Sequence, residues 1–183
     1  MSVTEVLRDT ESRMKKSLEA AGHDFATLRT GRANPSLLDS LKVDYYGQTL
    51  PVNQLGSVTA PEPRLLVIQP WDKGSLAAIE RAITKSDLGL TPSNDGVVIR
   101  LGIPPLTEER RRDFVKQLKQ KAEAARIAVR NVRRDANDHL KRDETVTDDE
   151  VKRAEKDVQK IADKYIAEID ALEKAKEAEL LEV

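Results

Sequence analysis

The sequence contains no cysteine, and only 3% of its 183 residues are aromatic. The lack of cysteine excludes a disulfide framework, a cysteine nucleophile and thiolate metal sites. No apolar run approaches the roughly 18 residues of a membrane span, and residues 1–16 lack the apolar block of a signal peptide. Charged residues, at 34%, suit long solvated helices. These features predict a cytoplasmic, helix-rich protein without a membrane segment.

Three stretches of the sequence repeat apolar residues at steps of three and four, the spacing of helices that pack along one seam. They cover residues 3–29, 107–141 and 147–180. Thr147 and Glu150 have the spacing of a capping box at the start of the third stretch. At about 1.5 Å per residue, the longer helices would span roughly 50 Å. The sequence therefore predicts an elongated, antiparallel three-helix bundle.

Residues 33–103 interrupt this periodicity with short apolar runs that are bounded by proline or glycine, as strands often are. The predicted strands are 42–46, 48–52, 65–69 and 97–101, and the predicted helix is 75–85. The fold class is therefore α+β. We expect a discontinuous bundle of residues 1–30 and 105–183, with an inserted β/α/β domain of residues 31–104.

Two short connections rich in glycine or proline join the inserted domain to the bundle. Such a double connection can form a hinge between domains, and it can equally consist of ordinary turns in one rigid protein. Both interpretations remain open at this point. The candidate hinge residues are Thr30, Gly31, Arg32, Ala33, Gly102, Ile103, Pro104 and Pro105.

The net charge of −1 hides a strong separation of charge along the chain. Residues 110–134 contain ten basic and two acidic side chains, whereas residues 143–183 contain 14 acidic and seven basic ones. Arg126, Arg130 and Arg133 each follow a predicted core position by one residue, so they form a stripe on one helix face. Guanidinium groups on a rigid helix suit bidentate contacts with phosphate. The pattern predicts a nucleic-acid surface.

A different explanation of the basic stripe is that it pairs with the acidic third helix, because charge runs are often laced with salt bridges. If RNA is the partner, the scarcity of aromatic residues favours recognition of backbone and shape over base stacking. Catalytic motifs are absent: His23 and His139 lie in helical patterns, and no phosphate-binding glycine loop or serine elbow occurs. We therefore expect neither an enzyme nor a metal site.

Five segments of the sequence resemble motifs of the bacterial ribosome recycling factor family, in the same order over essentially the whole chain. They are residues 28–38, 43–47, 86–90, 104–111 and 125–137. The last of these contains the run Val129-Arg130-Asn131-Val132-Arg133-Arg134. One departure lies at residues 139–149, a stretch about one helical turn shorter than is typical of the family. That difference puts any family residue matched at the bundle tip in doubt.

The resemblance implies an L-shaped, two-domain protein that acts in ribosome recycling after translation termination. It implies binding to the large ribosomal subunit at the A/P-site region, through 23S ribosomal RNA and ribosomal proteins. Elongation factor G with GTP would then act with the chain to split the ribosome into subunits. By the same resemblance, the chain itself is a monomer that hydrolyses nothing and needs no cofactor.

The resemblance also assigns residues. Arg130 and Arg133 match functionally important arginines of the family, and Arg29 and Arg32 match basic positions near the hinge. Further candidates for contact with ribosomal RNA are Arg110, Arg111, Arg126, Asn131 and Arg134. The inserted domain and the hinge would face elongation factor G. Three alternatives remain: a helical adaptor that binds an acidic protein, a general RNA chaperone and, more remotely, a hydrolase.

Overall fold

The computed structural model describes residues 1–28 and 30–182 of the chain. It divides into two compact units. The first, called here the bundle, comprises Met1–Arg29 and Glu108–Glu182, and the second, the inserted unit, comprises Thr30–Thr107. Thr30 and residues 105–107 thus group with the inserted unit, whereas the sequence prediction assigned them to the bundle.

The helices and strands of the described residues follow one another in this order: α1 (Val3–Ala26), β1 (Lys42–Tyr45), β2 (Gln48–Pro51), β3 (Gly56–Glu62), β4 (Leu65–Pro70), α2 (Leu76–Lys85), β5 (Pro92–Asn94), β6 (Ile99–Gly102), α3 (Glu108–Arg142) and α4 (Asp148–Leu181). This mixture of long helices and small sheets is the predicted α+β class. None of these helices is both long enough and apolar enough to span a membrane.

The three long helices form the bundle, as the apolar periodicity predicts. Residues near the start of α1 pack against the end of α3, and the end of α1 packs against the first half of α3, so the two helices are antiparallel. Helix α4 returns along α3 in the opposite direction. The seam buries two clusters of side chains, a larger one that includes Met14, Leu118, Val129 and Ile169, and a smaller one that includes Val158. Full burial of each large apolar side chain contributes about 1.5–3 kcal/mol.

Side chains at the helix starts satisfy backbone groups that the helices leave free. Thr147 and Glu150 form the predicted capping box: the Thr147 hydroxyl accepts from the Glu150 amide at 3.3 Å, and the Thr147 amide donates to Glu150 at 2.9 Å. Ser2 and Glu5 form an equivalent box at the start of α1. Helix α1 ends at Ala26, three residues before the predicted end, where the Thr27 hydroxyl bonds back to the Asp24 carbonyl.

The inserted unit contains two antiparallel sheets and helix α2. Strands β1 and β2 form a hairpin, and the larger sheet has the order β3-β4-β6-β5. The prediction missed β3 and β5, because both contain proline and expose most of their side chains. It also began the last strand two residues early, since β6 starts at Ile99. The core between the sheets and α2 includes Leu66, Ile68, Ile79, Ile83 and Ile99.

Candidate nucleic-acid interface on helix α3

The side of α3 that points away from the bundle core carries the strongest candidate site. We call it the outer face, and its central residues are Lys116, Ile127, Arg130, Asn131 and Arg134. All but Arg130 are exposed, and the Arg130 side chain retains 39% exposure. Ile127, Arg130, Asn131 and Arg134 lie on neighbouring turns of one rigid helix, and Lys116 lies about three turns before Ile127 on the same face. Such an arrangement presents fixed hydrogen-bond donors to a surface of phosphates.

Arg126 belongs to the predicted stripe, but it faces α4 instead of solvent. Its Nη1 lies 2.8 Å from Asp170 Oδ1 and 2.7 Å from Glu173 Oε2, and its Nε lies 3.0 Å from Glu123 Oε2. Only 16% of the side chain is exposed. The hydrogen bond to Glu173 is the main cause that raises the pKa of Arg126 above its ordinary value. For this residue, pairing with the acidic helix describes the observed geometry, and contact with RNA stays a prediction.

The other two arginines of the stripe have weaker internal partners. Arg130 Nη1 donates to Glu123 Oε1 at 3.1 Å, and Arg133 Nη1 donates to Gln159 Oε1 on α4 at 3.1 Å. Hydrogen bonds from Arg126 and then Arg130 lower the pKa of Glu123. Arg130 and Arg133 therefore keep donors that no described protein group uses, whereas Arg126 is enclosed.

The first turn of α3 adds more positive charge. Arg110 is exposed and Arg111 half-buried, while Arg112 pairs with Glu108 at 2.6 Å. Glu108 and Glu109 offset the unfavourable interaction of these cations with the positive end of the helix dipole. The basic surface thus extends from the helix start to Arg134.

The candidate hinge residues lie near the turn between β3 and β4. The Ala33 amide donates to the Pro63 carbonyl at 2.6 Å, and the Ile103 amide donates to the Arg64 carbonyl at 2.8 Å. Ile103 and Thr30 are buried, whereas Arg32, Gly102, Pro104 and Pro105 are exposed and Gly31 is half-buried. The two connections are therefore held to one turn of the inserted unit. Arg29, another predicted RNA-binding residue, lies outside the described residues.

No cluster of three or more acidic or histidine side chains suited to a metal ion occurs among residues 1–28 and 30–182. The short connection between α3 and α4 is a turn in which Asp143 Oδ1 accepts from the amide and hydroxyl of Thr145, at 3.0 and 2.6 Å. These bonds lower the pKa of Asp143. The tip of the bundle is thus an ordered turn.

Comparison with known proteins identifies the family of the chain. A family model described as ribosome recycling factor matches residues 21–181. The chain belongs to the ribosome recycling factor family. Its membership assigns the chain to protein synthesis, with ribosome recycling as its function.

Relatives in the ribosome recycling factor family match over nearly their full length. The chain is 60% identical over 182 residues to the ribosome-recycling factor of Halalkalibacterium halodurans, with 98% of each chain covered. It is 55% identical over 184 residues to that of Carboxydothermus hydrogenoformans, covering 99% of this chain and 100% of the relative.

Solved structures of the ribosome recycling factor family agree. A solution structure of a ribosome recycling factor matches with a TM-score of 0.81 and 44% identity, covering 100% of this chain and 99% of that one. A second structure shows the T. thermophilus ribosome recycling factor and the E. coli elongation factor G bound to the E. coli post-termination complex. It matches with a TM-score of 0.68 and 53% identity, covering 100% of both chains.

Sequence reasoning missed several residues that shape the candidate site of this family member. Glu123, Asp170 and Glu173 hold Arg126, and Gln159 holds Arg133. The general excess of acids on α4 indicated that such pairs were available. The partners on α4 lie 26 to 47 residues from their arginines along the chain, so only the packing of α3 against α4 identifies them. Glu123 lies three residues before Arg126 on α3, a spacing that the sequence alone could have indicated.

Proposed function

We propose that this chain binds the large ribosomal subunit at the A/P-site region through 23S ribosomal RNA, and that it splits the post-termination ribosome together with elongation factor G and GTP. The observation that supports the RNA contact is the outer face of α3. Arg130 and Arg134 lie one helical turn apart, Arg134 makes no ion pair with any described residue, and Asn131 beside them is exposed. The structure of a 53% identical relative and elongation factor G bound to a post-termination complex supports the partners.

In the proposed mechanism, the bundle supplies a stiff anchor. Arg130, Arg133 and Arg134 bind phosphates, and the neighbouring Arg126 stays with α4 and fixes the register between the two helices. Phosphate contacts position a protein on RNA without reading bases, which fits a surface of guanidinium groups with no exposed aromatic ring on α3. The GTPase partner provides the energy, and this chain hydrolyses nothing.

Binding to purified large subunits across a salt series tests the anchor. We expect saturable binding that Arg130→Ala/Arg133→Ala weakens at least about tenfold for each lost charged hydrogen bond. The slope of log affinity against log salt should fall by about one for each lost phosphate contact. The matched control is Lys156→Ala/Lys160→Ala, which removes the same charge from exposed positions of α4.

Two results would contradict the anchor. Equal losses in the test and control variants would mean that only the general charge of the bundle matters. Unchanged binding of the test variant, with its helical circular dichroism intact, would mean that Arg130 and Arg133 do not bind ribosomal RNA. The adaptor hypothesis would then be favoured. Absence of GTP turnover by the chain alone, against turnover by elongation factor G, is the expected result of the accompanying hydrolysis assay.

The connection at Gly31 allows a separate test of the hinge. A Cβ atom added there would meet nothing closer than the Leu106 amide nitrogen at 3.8 Å, so Gly31→Val should fold normally. The branched side chain restricts the backbone. We expect unchanged binding to large subunits and slower splitting with elongation factor G and GTP. Native splitting rates would show that freedom at residue 31 is not needed.

A further inference from the structure

Three of the aromatic residues lie together in the inserted unit, although the chain as a whole is poor in them. Tyr46 and Trp71 are 84% and 71% exposed, and the rings of Tyr45 and Tyr46 meet edge to face with centroids 4.4 Å apart. Large aromatic side chains are enriched at the centres of protein interfaces. Exposing two of them on a small domain therefore indicates a contact surface.

Local bonds hold this surface in place before any partner binds. The Tyr45 hydroxyl donates to Asp72, which also accepts from the Gly74 amide at 3.0 Å, and the Trp71 amide donates to the Leu55 carbonyl at 3.1 Å. Tyr46 adopts a left-handed backbone conformation with φ of 49°. Gly47 beside it has a φ of 75°, so the two residues form the two-residue turn of the β1–β2 hairpin, which needs positive φ at both positions. The turn therefore holds the Tyr46 backbone in one conformation.

Trp71 forms one wall of a groove of about 330 Å³ in the inserted unit. Apolar atoms of Pro35, Pro51 and Val52 form much of the remaining lining. Asp39 is the only charged residue among the described residues that line it, and Asp72 follows Trp71 directly. The hydrogen bond from Tyr45 lowers the pKa of Asp72, so this carboxylate stays ionised at neutral pH.

We propose that this groove, called here the Trp71 groove, docks an extended basic segment of a protein partner. An arginine side chain fits it best, because the apolar stem can lie on the groove wall, the guanidinium can stack on Trp71, and Asp39 and Asp72 supply the opposite charge. Among the described residues that line the groove, Asp39 is acidic and none is basic, which disfavours RNA phosphates. The proposal concerns a different face from the outer face of α3 and does not depend on it.

The fluorescence of Trp71 reports this site directly, since it is the single tryptophan of the chain. The probe is a twelve-residue peptide of alternating arginine and glycine. We expect a saturable change in emission, with an apparent affinity that Asp72→Asn or Asp39→Asn weakens about fivefold. Asp87→Asn is the matched control, because it removes the same charge from an exposed residue that lines a different cavity of this unit.

Three results would overturn the proposal for the Trp71 groove. No emission change, or equal weakening in the Asp87 control, would overturn the Trp71 groove as a site for basic segments. Emission that responds to single-stranded poly(U) RNA and not to the peptide would also overturn it, in favour of a nucleic-acid surface. A glutamate-glycine peptide of equal length should leave emission unchanged.

A series of salt bridges, independent of the Trp71 groove, connects α4 to the outer face of α3. Asp170 and Glu173 hold Arg126, Arg126 holds Glu123, and Glu123 holds Arg130. Glu123 uses one oxygen for each arginine: Oε2 lies 3.0 Å from Arg126 Nε, and Oε1 lies 3.1 Å from Arg130 Nη1. The Arg126 side chain is 16% exposed, whereas Glu123 and Arg130 are 51% and 39% exposed.

We infer that Glu123 is a positioning residue for Arg130, an inference that rests on the proposed function. Its carboxylate fixes one edge of the Arg130 guanidinium and leaves the remaining donors for a phosphate. An arginine held in this way loses less side-chain freedom when it binds. The role is unexpected from charge alone, because a carboxylate on an RNA-binding face should repel the ligand.

Glu123→Gln tests this role, because long-range electrostatics and positioning predict opposite changes in affinity for large subunits. Glu123→Gln removes a negative charge, so long-range electrostatics alone predicts tighter binding to large subunits. Positioning predicts binding about threefold to tenfold weaker. In the Arg130→Ala background there is nothing to position, and Glu123→Gln should then leave affinity unchanged or raise it. Glu123→Asp should restore part of the loss.

The design separates failure of this inference from failure of the proposed function. If Arg130→Ala alone has no effect on binding, the anchor itself is wrong. If Arg130→Ala weakens binding and Glu123→Gln tightens it in the native background, the anchor stands and the positioning role is overturned. An equal loss from Glu123→Gln in both backgrounds would indicate a general structural effect and would also overturn it.

Discussion

The bundle and the inserted unit bury their apolar residues by different means. Three helices of 24, 35 and 34 residues form the bundle, and each repeats one apolar seam along its whole length. The inserted unit depends on strands of three to seven residues, and the central pairing of β4 with β6 joins residues 31 to 37 positions apart, from Ile68–Ile99 to Leu65–Gly102. A helix can absorb a local change by shifting a single turn, whereas a short strand depends on the close approach of its neighbour. The two units should therefore respond differently to the same substitution.

The largest expected effect is that of Gly56→Ala in the inserted unit. An added Cβ would lie 2.5 Å from the Gln69 carbonyl oxygen and 2.8 Å from Pro70 Cα, so the backbone of β3 or β4 must move. We expect a loss of about 2–3 kcal/mol in the free energy of unfolding, measured by urea titration. Gly102→Ala in the same sheet meets nothing within 4 Å and serves as the control. Equal losses would show that the close approach at Gly56 is unimportant.

The capping box of α4 should give a smaller effect. Thr147→Ala removes the hydroxyl that accepts from the Glu150 amide, which should lower stability by about 1 kcal/mol. Thr147→Ser keeps the acceptor and should restore most of the loss. Thermal unfolding followed by circular dichroism distinguishes the variants. A serine variant as unstable as the alanine variant would assign the loss to the threonine methyl group.

Gly22→Ala should act in the opposite direction to Gly56→Ala. Gly22 lies inside α1, and an added Cβ there meets nothing within 4 Å. Alanine costs less backbone entropy than glycine in a helix, so the variant should gain about 0.5–1 kcal/mol in the free energy of unfolding. The same urea titration measures it. A loss of free energy of unfolding in Gly22→Ala would show that the two units do not differ in their response to glycine-to-alanine substitution.

The smallest effect should be a pH dependence in the inserted unit. Asp95 accepts from the amides of Val98 and Val97 and from Arg100, at 2.9 Å each, and these bonds lower its pKa. Because the folded pKa lies below the unfolded value of about 3.9, the contribution to stability is present above that value and is lost as pH falls through the folded pKa.

Replacing the carboxylate provides the measurement for Asp95. Asp95→Asn should be less stable than the native chain near pH 7, and the difference should shrink as the pH falls below about 4. Urea midpoints between pH 7 and pH 2 show this convergence. A difference that stays constant across that range would mean that the ionised carboxylate is not the stabilising form.

The bundle was the more predictable part of the fold, because its signal is local. The apolar seam located all three long helices, and the capping box located the start of α4 within one residue. In the inserted unit, alternation and branched residues located β1, β2, β4 and α2. Strands β3 and β5 carried no such signal, because their stability comes from pairing with β4 and β6.

The sequence by itself determined that the bundle has one strongly basic helix and one acidic helix, since charge and helical periodicity are properties of short segments. Only the tertiary structure decided which cations remain available. Packing of α3 against α4 encloses Arg126 between Asp170 and Glu173, and leaves Arg130 and Arg134 on the outer face. The physical reason is distance: a salt bridge forms between atoms a few ångströms apart, and partners more than 40 residues apart in sequence meet only when two long helices are packed in register.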